Sequence, residues 1–265
     1  MPFTLSHAAA IWPLQRTRLE LSALIAGCFA PDFAYFFFLS SHGLYAHSLQ
    51  GMFLLDLPLS LVGLWLFHTF VKYPFSVLLP KGIRVRLKPR ASGFTFWPPA
   101  RLALIVVSIL IGTATHIFWD AFTHSYYWPY RHLGFLRKMV YLPVEGYVHM
   151  YKVLQDGSSL IGLVVVAVWI ALWYRATEPS EPPTAKPYSQ GQIRVITIAV
   201  PALALMCGMF KSYRDLGIPG LEFRQLLHSA LSAGIATITF LMAGLLICGV
   251  VFRRRVAVTE PVHAE

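Results

Sequence analysis

Polar residues are spaced so widely along this chain that apolar stretches of membrane-spanning length stand between them. Five are readable, at about 51–70, 102–118, 158–174, 195–210 and 229–252. Each approaches the ~18–20 residues a helix needs to cross ~30 Å of hydrocarbon. A sixth stretch, 19–40, is interrupted by Pro31 and Asp32, and reads either as a crossing helix or as an interfacial or re-entrant helical hairpin. The pattern predicts an all-α, polytopic membrane bundle of five or six transmembrane helices. The segment 176–190, ATEPSEPPTAKPYSQ, is too rich in Pro, Ser and Glu to bury an apolar face and reads as a flexible linker. It divides a membrane domain at 1–175 from a two-helix membrane hairpin and basic tail at 191–265.

Composition sharpens this picture. Of 265 residues, 56% are hydrophobic and 13% charged, and the mean hydropathy is +0.58. An ordinary soluble domain has roughly a quarter of its residues charged, so that class is excluded. The net charge of +10 would suggest nucleic acid in a soluble protein. Here the basic residues flank apolar segments: Lys72, Lys81, Arg84, Arg86, Lys88, Arg90 and Arg101 follow the first clear span, and Arg253, Arg254 and Arg255 follow the last. The positive-inside rule puts both groups in the cytoplasm, with the carboxyl terminus. The expected partner is the lipid bilayer, and nucleic acid is not expected. Within the first group, the alternation from Ile83 to Lys88 reads as a strand, as a basic surface segment lying on anionic lipid, or as a solvated loop. The amino terminus lacks the basic and apolar regions of a cleaved signal, so Met1 is expected to remain. Cys28, Cys207 and Cys248 show no paired spacing, so any metal must use His and carboxylate ligands.

The informative stretch is Gly112 to His124, GTATHIFWDAFTH. On a helix, His116, Asp120 and His124 form one ridge at the outer membrane edge. Eight residues rise ~12 Å, too far for both histidines to grip one ion, so Asp120 is placed to serve two adjacent ions. A lone His-x-x-x-Asp reads equally well as a packing pair, but ionisable groups inside a membrane chain tend to face a site or one another. Asp32, after Pro31, either caps the helix that begins at Phe33 or faces the same site, and His47 opens the next helix. Taken together, Asp32, His47, His116 and Asp120 are a two-His, two-carboxylate set suited to zinc or manganese. Asp56 lies within the first clear span and is expected to be protonated, paired, or hydrogen-bonded to a metal-ligating histidine, the last being favoured. Glu145 and His149, four apart, read as a solvated helical pair, ligands for a second ion, or a general base. Tyr126, Tyr127, Trp128, Tyr130, Arg131, Arg137 and Lys138 read as an aromatic and basic interfacial belt or a headgroup receiver.

The motifs MPFTLSHAAA, AGCFAPDFAYF, AHSLQGMFLLDLP, FHTFVKYPFSVLLP, GTATHIFWDAFTH and YKVLQDGSSLIGL occur in order over residues 1–175. They resemble an uncharacterised family of bacterial integral-membrane proteins, a domain of unknown function whose members start MPFTxSHPAA. More distantly the pattern is similar to inner-membrane metal-dependent hydrolases and to the all-helical zinc-dependent phospholipase C and P1 nuclease group. That second resemblance implies a phospholipase-C-like helical metal-site half. It implies that Asp32, His47, His116 and Asp120 hold a first ion, that His124 with Glu145 and His149 lie near a second, and that His7 takes the place of an early histidine. The last pair is reversed relative to that group. The activity so implied is hydrolysis of a phosphoester or lipid-linked substrate at the outer face of a bacterial inner membrane, with Asp120 and Glu145 in catalytic roles. The competing expectation is a non-catalytic metal-binding or proton-linked transporter or scaffold.

Overall fold

A computed structural model describes residues 3–38, 45–87, 94–143, 146–179, 188–216 and 223–259. Among these, five helices are long and apolar enough to cross a membrane: Leu49–Leu78, Pro99–His132, Met150–Ala176, Gln190–Arg214 and Ser229–Phe252. The shortest has 24 residues, which at ~1.5 Å per residue exceeds the ~30 Å hydrocarbon core. Their outer faces carry Leu160, Val164, Leu203 and Met206, side chains suited to lipid. The protein is an all-α bundle that fits a multi-pass membrane protein.

The chain forms two compact units. The first comprises Met1–Phe33, Gly43–Leu64 and Phe96–Ala176. It begins with a 3-10 helix, Thr4–Arg16, followed by an α-helix, Leu21–Phe29. The two make a hairpin packed on Pro99–Thr123. Near its turn the Glu20 N–H donates to Ser108 Oγ at 3.0 Å and the Glu20 carboxylate lies 3.7 Å from Arg101. At its open end the Thr4 hydroxyl donates to Asp32. Beyond Leu21–Phe29 the chain continues through the 3-10 turn Ala30–Asp32 into the helix Phe33–Phe38, and residues 39 and 40 of the 19–40 stretch lie outside the described residues.

Glycine sets how closely this hairpin approaches the long helix. A Cβ on Gly27 would collide with the backbone oxygen of Ile109, and one on Gly112 with that of Leu24. Backbones therefore touch, as small residues allow between membrane helices. Pro31 has no N–H for the Gly27 carbonyl, which instead accepts from the Ala30 N–H and from the Thr113 hydroxyl at 3.0 Å. Ile11, Leu24 and Cys28 fill the space behind, and Trp169 of Met150–Ala176 donates its indole N–H to Gln15 at 2.6 Å.

Two local features depart from the sequence reading. Met139–Leu142 pairs antiparallel with Gly146–His149, so His149 ends a strand and not a helical turn. The aromatic and β-branched residues there favour the pleat, Tyr141 pairs with Tyr147, and Gly146 takes φ +74°. Lys81–Arg84 is a helical turn and not a strand.

The second unit comprises Ala34–His42, Trp65–Thr95 and Thr177–Glu265. Its core is Val71, Val77, Tyr188, Ile196, Leu245 and Cys248. Gly249 meets the Phe70 carbonyl, and Gly208 meets Thr237, where a Cβ has no room.

Candidate metal centre

Four separate elements of the first unit deliver side chains to one point. His7 sits on the Thr4–Arg16 3-10 helix, and Asp32 ends the 3-10 turn Ala30–Asp32. His47 precedes the Leu49–Gly51 helical turn, whose N-terminus is capped by Ser48 accepting from the Gly51 N–H at 3.0 Å. His116 and Asp120 lie one turn apart on Pro99–Thr123. All five are buried, none more than 5% exposed.

The distances are those of a coordination shell. His47 Nε2 lies 3.4 Å from Asp32 Oδ1 and 3.3 Å from Asp120 Oδ2, and His116 Nε2 lies 3.6 and 3.5 Å from the same two oxygens. Zinc bonds of ~2.0–2.2 Å in a tetrahedron give ligand-to-ligand edges of ~3.3–3.6 Å. Four of the six edges are thus met without moving an atom. The ring of His116 donates from Nδ1 to the Cys28 carbonyl at 2.7 Å, which leaves Nε2 as the ring atom aimed at the two carboxylates. In a neutral imidazole held this way Nε2 is the atom that ligates a cation. On the far side of Asp120, Oδ1 is 3.5 Å from His7 Nε2, and His7 stacks on His116 with ring centroids 3.8 Å apart. His7, His116 and Asp120 form a second triad whose ligand atoms lie within 4.8 Å of one another, so Asp120 faces both groups.

Charge reinforces the geometry. Burial works against a charged His47, yet the carboxylates of Asp120 and Asp32 raise it to about 10. The pair therefore demands positive charge at this point, and a divalent cation meets the demand while leaving the imidazole a neutral ligand. Burial and the adjacent His116 ring push His7 down to about 4, which keeps its Nε2 lone pair available at neutral pH. Two carboxylates buried among uncharged groups would otherwise cost several kcal/mol each.

A family model described as a domain of unknown function, DUF4184, matches residues 1–252. The chain belongs to that family. No curated protein and no solved structure matches it. The match reaches well past residue 175, and it contains every side chain of the centre.

Among the described residues, the remaining candidates of this DUF4184 chain take no place in either triad. His124 leaves the helix as its C-cap, donates from Nδ1 to the Asp120 carbonyl at 3.0 Å and lies 3.9 Å from Asp120 Oδ2, beside the shell and outside both triads. Asp56 is fully buried on a π-helical segment, Met52–Asp56. Among the described residues its carboxylate hydrogen-bonds to none of the histidines, so the expected link from Asp56 to a ligand ring is not made. His149 is turned to the Arg137 carbonyl at 2.9 Å and packs beside Tyr130 and Tyr151. Glu145 lies outside the described residues.

Two supporting roles escaped the sequence reading. Thr4 donates to Asp32 Oδ2 at 2.6 Å, leaving Oδ1 aimed at the centre. The signal was present: on a 3-10 helix, positions three apart eclipse, which puts Thr4 and His7 on one edge. Tyr127 donates its hydroxyl to the His47 carbonyl at 3.0 Å and so steadies that ligand. Losing a hydrogen-bond partner of a ligand typically costs ~10–100-fold in metal affinity. Thr4→Val is expected to weaken zinc binding by about that factor, as measured by competition with a chromogenic chelator, with the helical content unchanged.

Proposed function

We propose that this protein is a membrane-embedded, metal-dependent hydrolase of a phosphoester or lipid-linked substrate. Its cation is zinc, with manganese as the competing ion. Its site lies at the outer face of a bacterial inner membrane, and its carboxyl terminus in the cytoplasm. The observation that carries this reading is the set of four His-to-carboxylate separations of 3.3–3.6 Å among Asp32, His47, His116 and Asp120, with Asp120 Oδ1 and His7 Nε2 beside it.

A divalent cation held by Asp32, His47, His116 and Asp120, with a water as an additional ligand, would lower the pKa of that water toward ~7 and offset the negative oxygens of a phosphoryl group. The chain's own residues do the rest. Asp32 and Asp120 set the charge of the centre, and the Cys28 carbonyl and Thr4 hydroxyl hold the ligand orientations. Asp120 Oδ1, on the His7 side, is placed to accept a proton from the attacking water. The water oxygen then bonds to phosphorus, the bond from phosphorus to the leaving oxygen breaks, and that proton ends on the leaving oxygen.

Protein reconstituted with zinc in vesicles is expected to release phosphate ester products from a panel of phospholipids and polyprenyl phosphates. Chelation should stop the reaction, re-added zinc should restore it, and His47→Ala should lower the rate at least ~100-fold. A metal-loaded protein inactive across that panel would move the reading to a metal-binding or proton-linked transporter. One observation favours that second reading: Asp56 and Ser60, fully buried one turn apart in Leu49–Leu78, have side-chain oxygens with no hydrogen-bond partner among the described residues.

A further inference from the structure

A cavity of about 850 Å³ adjoins the centre, between the Thr4–Arg16 3-10 helix and the Pro99–Thr123 and Met150–Ala176 helices. Its volume lies within the ~300–1,000 Å³ of ligand pockets. Small side chains leave the space: Ala10, Ala114 and Gly157 sit where larger residues would fill it. His7 is its one ionisable lining residue, and nearly all the rest of its surface is apolar. His7 is 95% buried, since its exposure is 5%; among the described residues its Nε2 forms no hydrogen bond, and it points to Asp120 Oδ1, so one ring joins the groove wall to the candidate metal centre.

Phe118 and Ile161, both lining this groove, are 65% and 66% exposed, and they stand on helices of membrane-spanning length, so in a membrane-spanning chain the groove opens toward hydrocarbon. Lining residues run from Ile111 to Trp119 on one helix and from Val153 to Val165 on the other. At ~1.5 Å per residue these are ~12 and ~18 Å, about half of a ~30 Å hydrocarbon core and so the depth of one leaflet. A slot with apolar walls, about one leaflet long and with the polar ring of His7 on one wall, matches one lipid chain.

We propose that this groove seats one acyl chain of a membrane phospholipid, entering laterally and presenting its headgroup linkage at His7. The inference rests on the hydrolase reading for the reaction at the linkage, but chain binding itself needs no turnover. It names the substrate class as a phospholipid taken from the bilayer.

The test uses the full chain, zinc-loaded, in vesicles of phosphatidylglycerol doped with a phosphatidylglycerol bearing a diazirine midway along one acyl chain. After irradiation, adducts are mapped by mass spectrometry. Labelling at Ala114, Ile161 and Val165 is expected to exceed that at Leu203 and Met206, which are 61% and 66% exposed on another helix, by at least ~5-fold. A Cβ at Gly157 meets nothing within 4 Å, so Gly157→Leu fills the groove without collision. It should cut groove labelling ~10-fold and leave metal content and the Leu203 adducts unchanged. Ala114→Leu should do the same, and Leu172→Trp, outside the groove, should not. Uniform labelling of all exposed positions, or groove labelling unaltered in both filled variants, overturns the proposal. Groove labelling without hydrolysis leaves the chain seat standing and sinks the hydrolase reading. Hydrolysis without groove labelling does the reverse.

Discussion

Asp120→Asn is expected to reduce bound zinc from about one equivalent to background in elemental analysis of the purified protein. Asp120 is the residue on which the centre turns. Oδ2 lies 3.3 and 3.5 Å from the ligand nitrogens of His47 and His116, and Oδ1 lies 3.5 Å from that of His7. An amide of the same size removes the charge and turns one of these lone-pair positions into a donor. The fold should survive, because the change also relieves the cost of burying two carboxylates side by side. Thermal unfolding separates the two effects. A ligand bound only by the native state stabilises by ~2.7 kcal/mol when present at a hundred times its Kd, so zinc should raise the melting temperature of the parent chain and leave that of Asp120→Asn unmoved. A variant that retains stoichiometric metal and the zinc-dependent shift would remove the centre described here.

Gly112→Val should force the Pro99–Thr123 helix away from the hairpin packed on it, and it should act without touching a ligand. The added Cβ would meet the Leu24 backbone oxygen and the Cys28 nitrogen, atoms that cannot swing aside as a flexible side chain can. The two helices must part, and overpacking of this kind costs ~1–3 kcal/mol or more. Separation also breaks the bonds from Thr113 to the Gly27 carbonyl and from His116 to that of Cys28. Metal affinity should then fall by more than the ~10–100-fold expected for one lost hydrogen-bond partner, together with the melting temperature. Gly157→Ala is the control. With nothing within 4 Å of its Cβ, it should be neutral or gain the ~0.5–1 kcal/mol that alanine has over glycine inside a helix. If the two variants melt alike, close backbone contact at Gly112 is not what holds this hairpin in place.

The two halves of the candidate site differ in how far a sequence can reveal them. His116 and Asp120 share a helical face by spacing alone, and Pro99–Thr123 delivers them as that spacing requires. His124 shows where periodicity stops: the helix ends at Thr123, and the next ring folds back onto the Asp120 carbonyl instead of extending the ridge. Asp32 carried two readings, helix cap or site residue. The hydroxyl of Thr4, 28 positions away, occupies one carboxylate oxygen, and the other turns to His47 and His116. For His149 a four-residue interval from Glu145 suggested a helix, whereas the strand-favouring residues of Gly146–His149 pair with Met139–Leu142.

The sequence by itself determined the membrane helices and the choice of possible ligands. Hydrocarbon thickness dictates the length of an apolar run, and a chain without paired cysteines has only histidine and carboxylate to offer a cation. Tertiary structure alone decided which of those groups meet. His116 and Cys28 are 88 positions apart, and they touch because two glycines let helix backbones come into contact where any side chain would hold them off. A distance of that kind is a property of packing between segments, and no local interval in the chain encodes it.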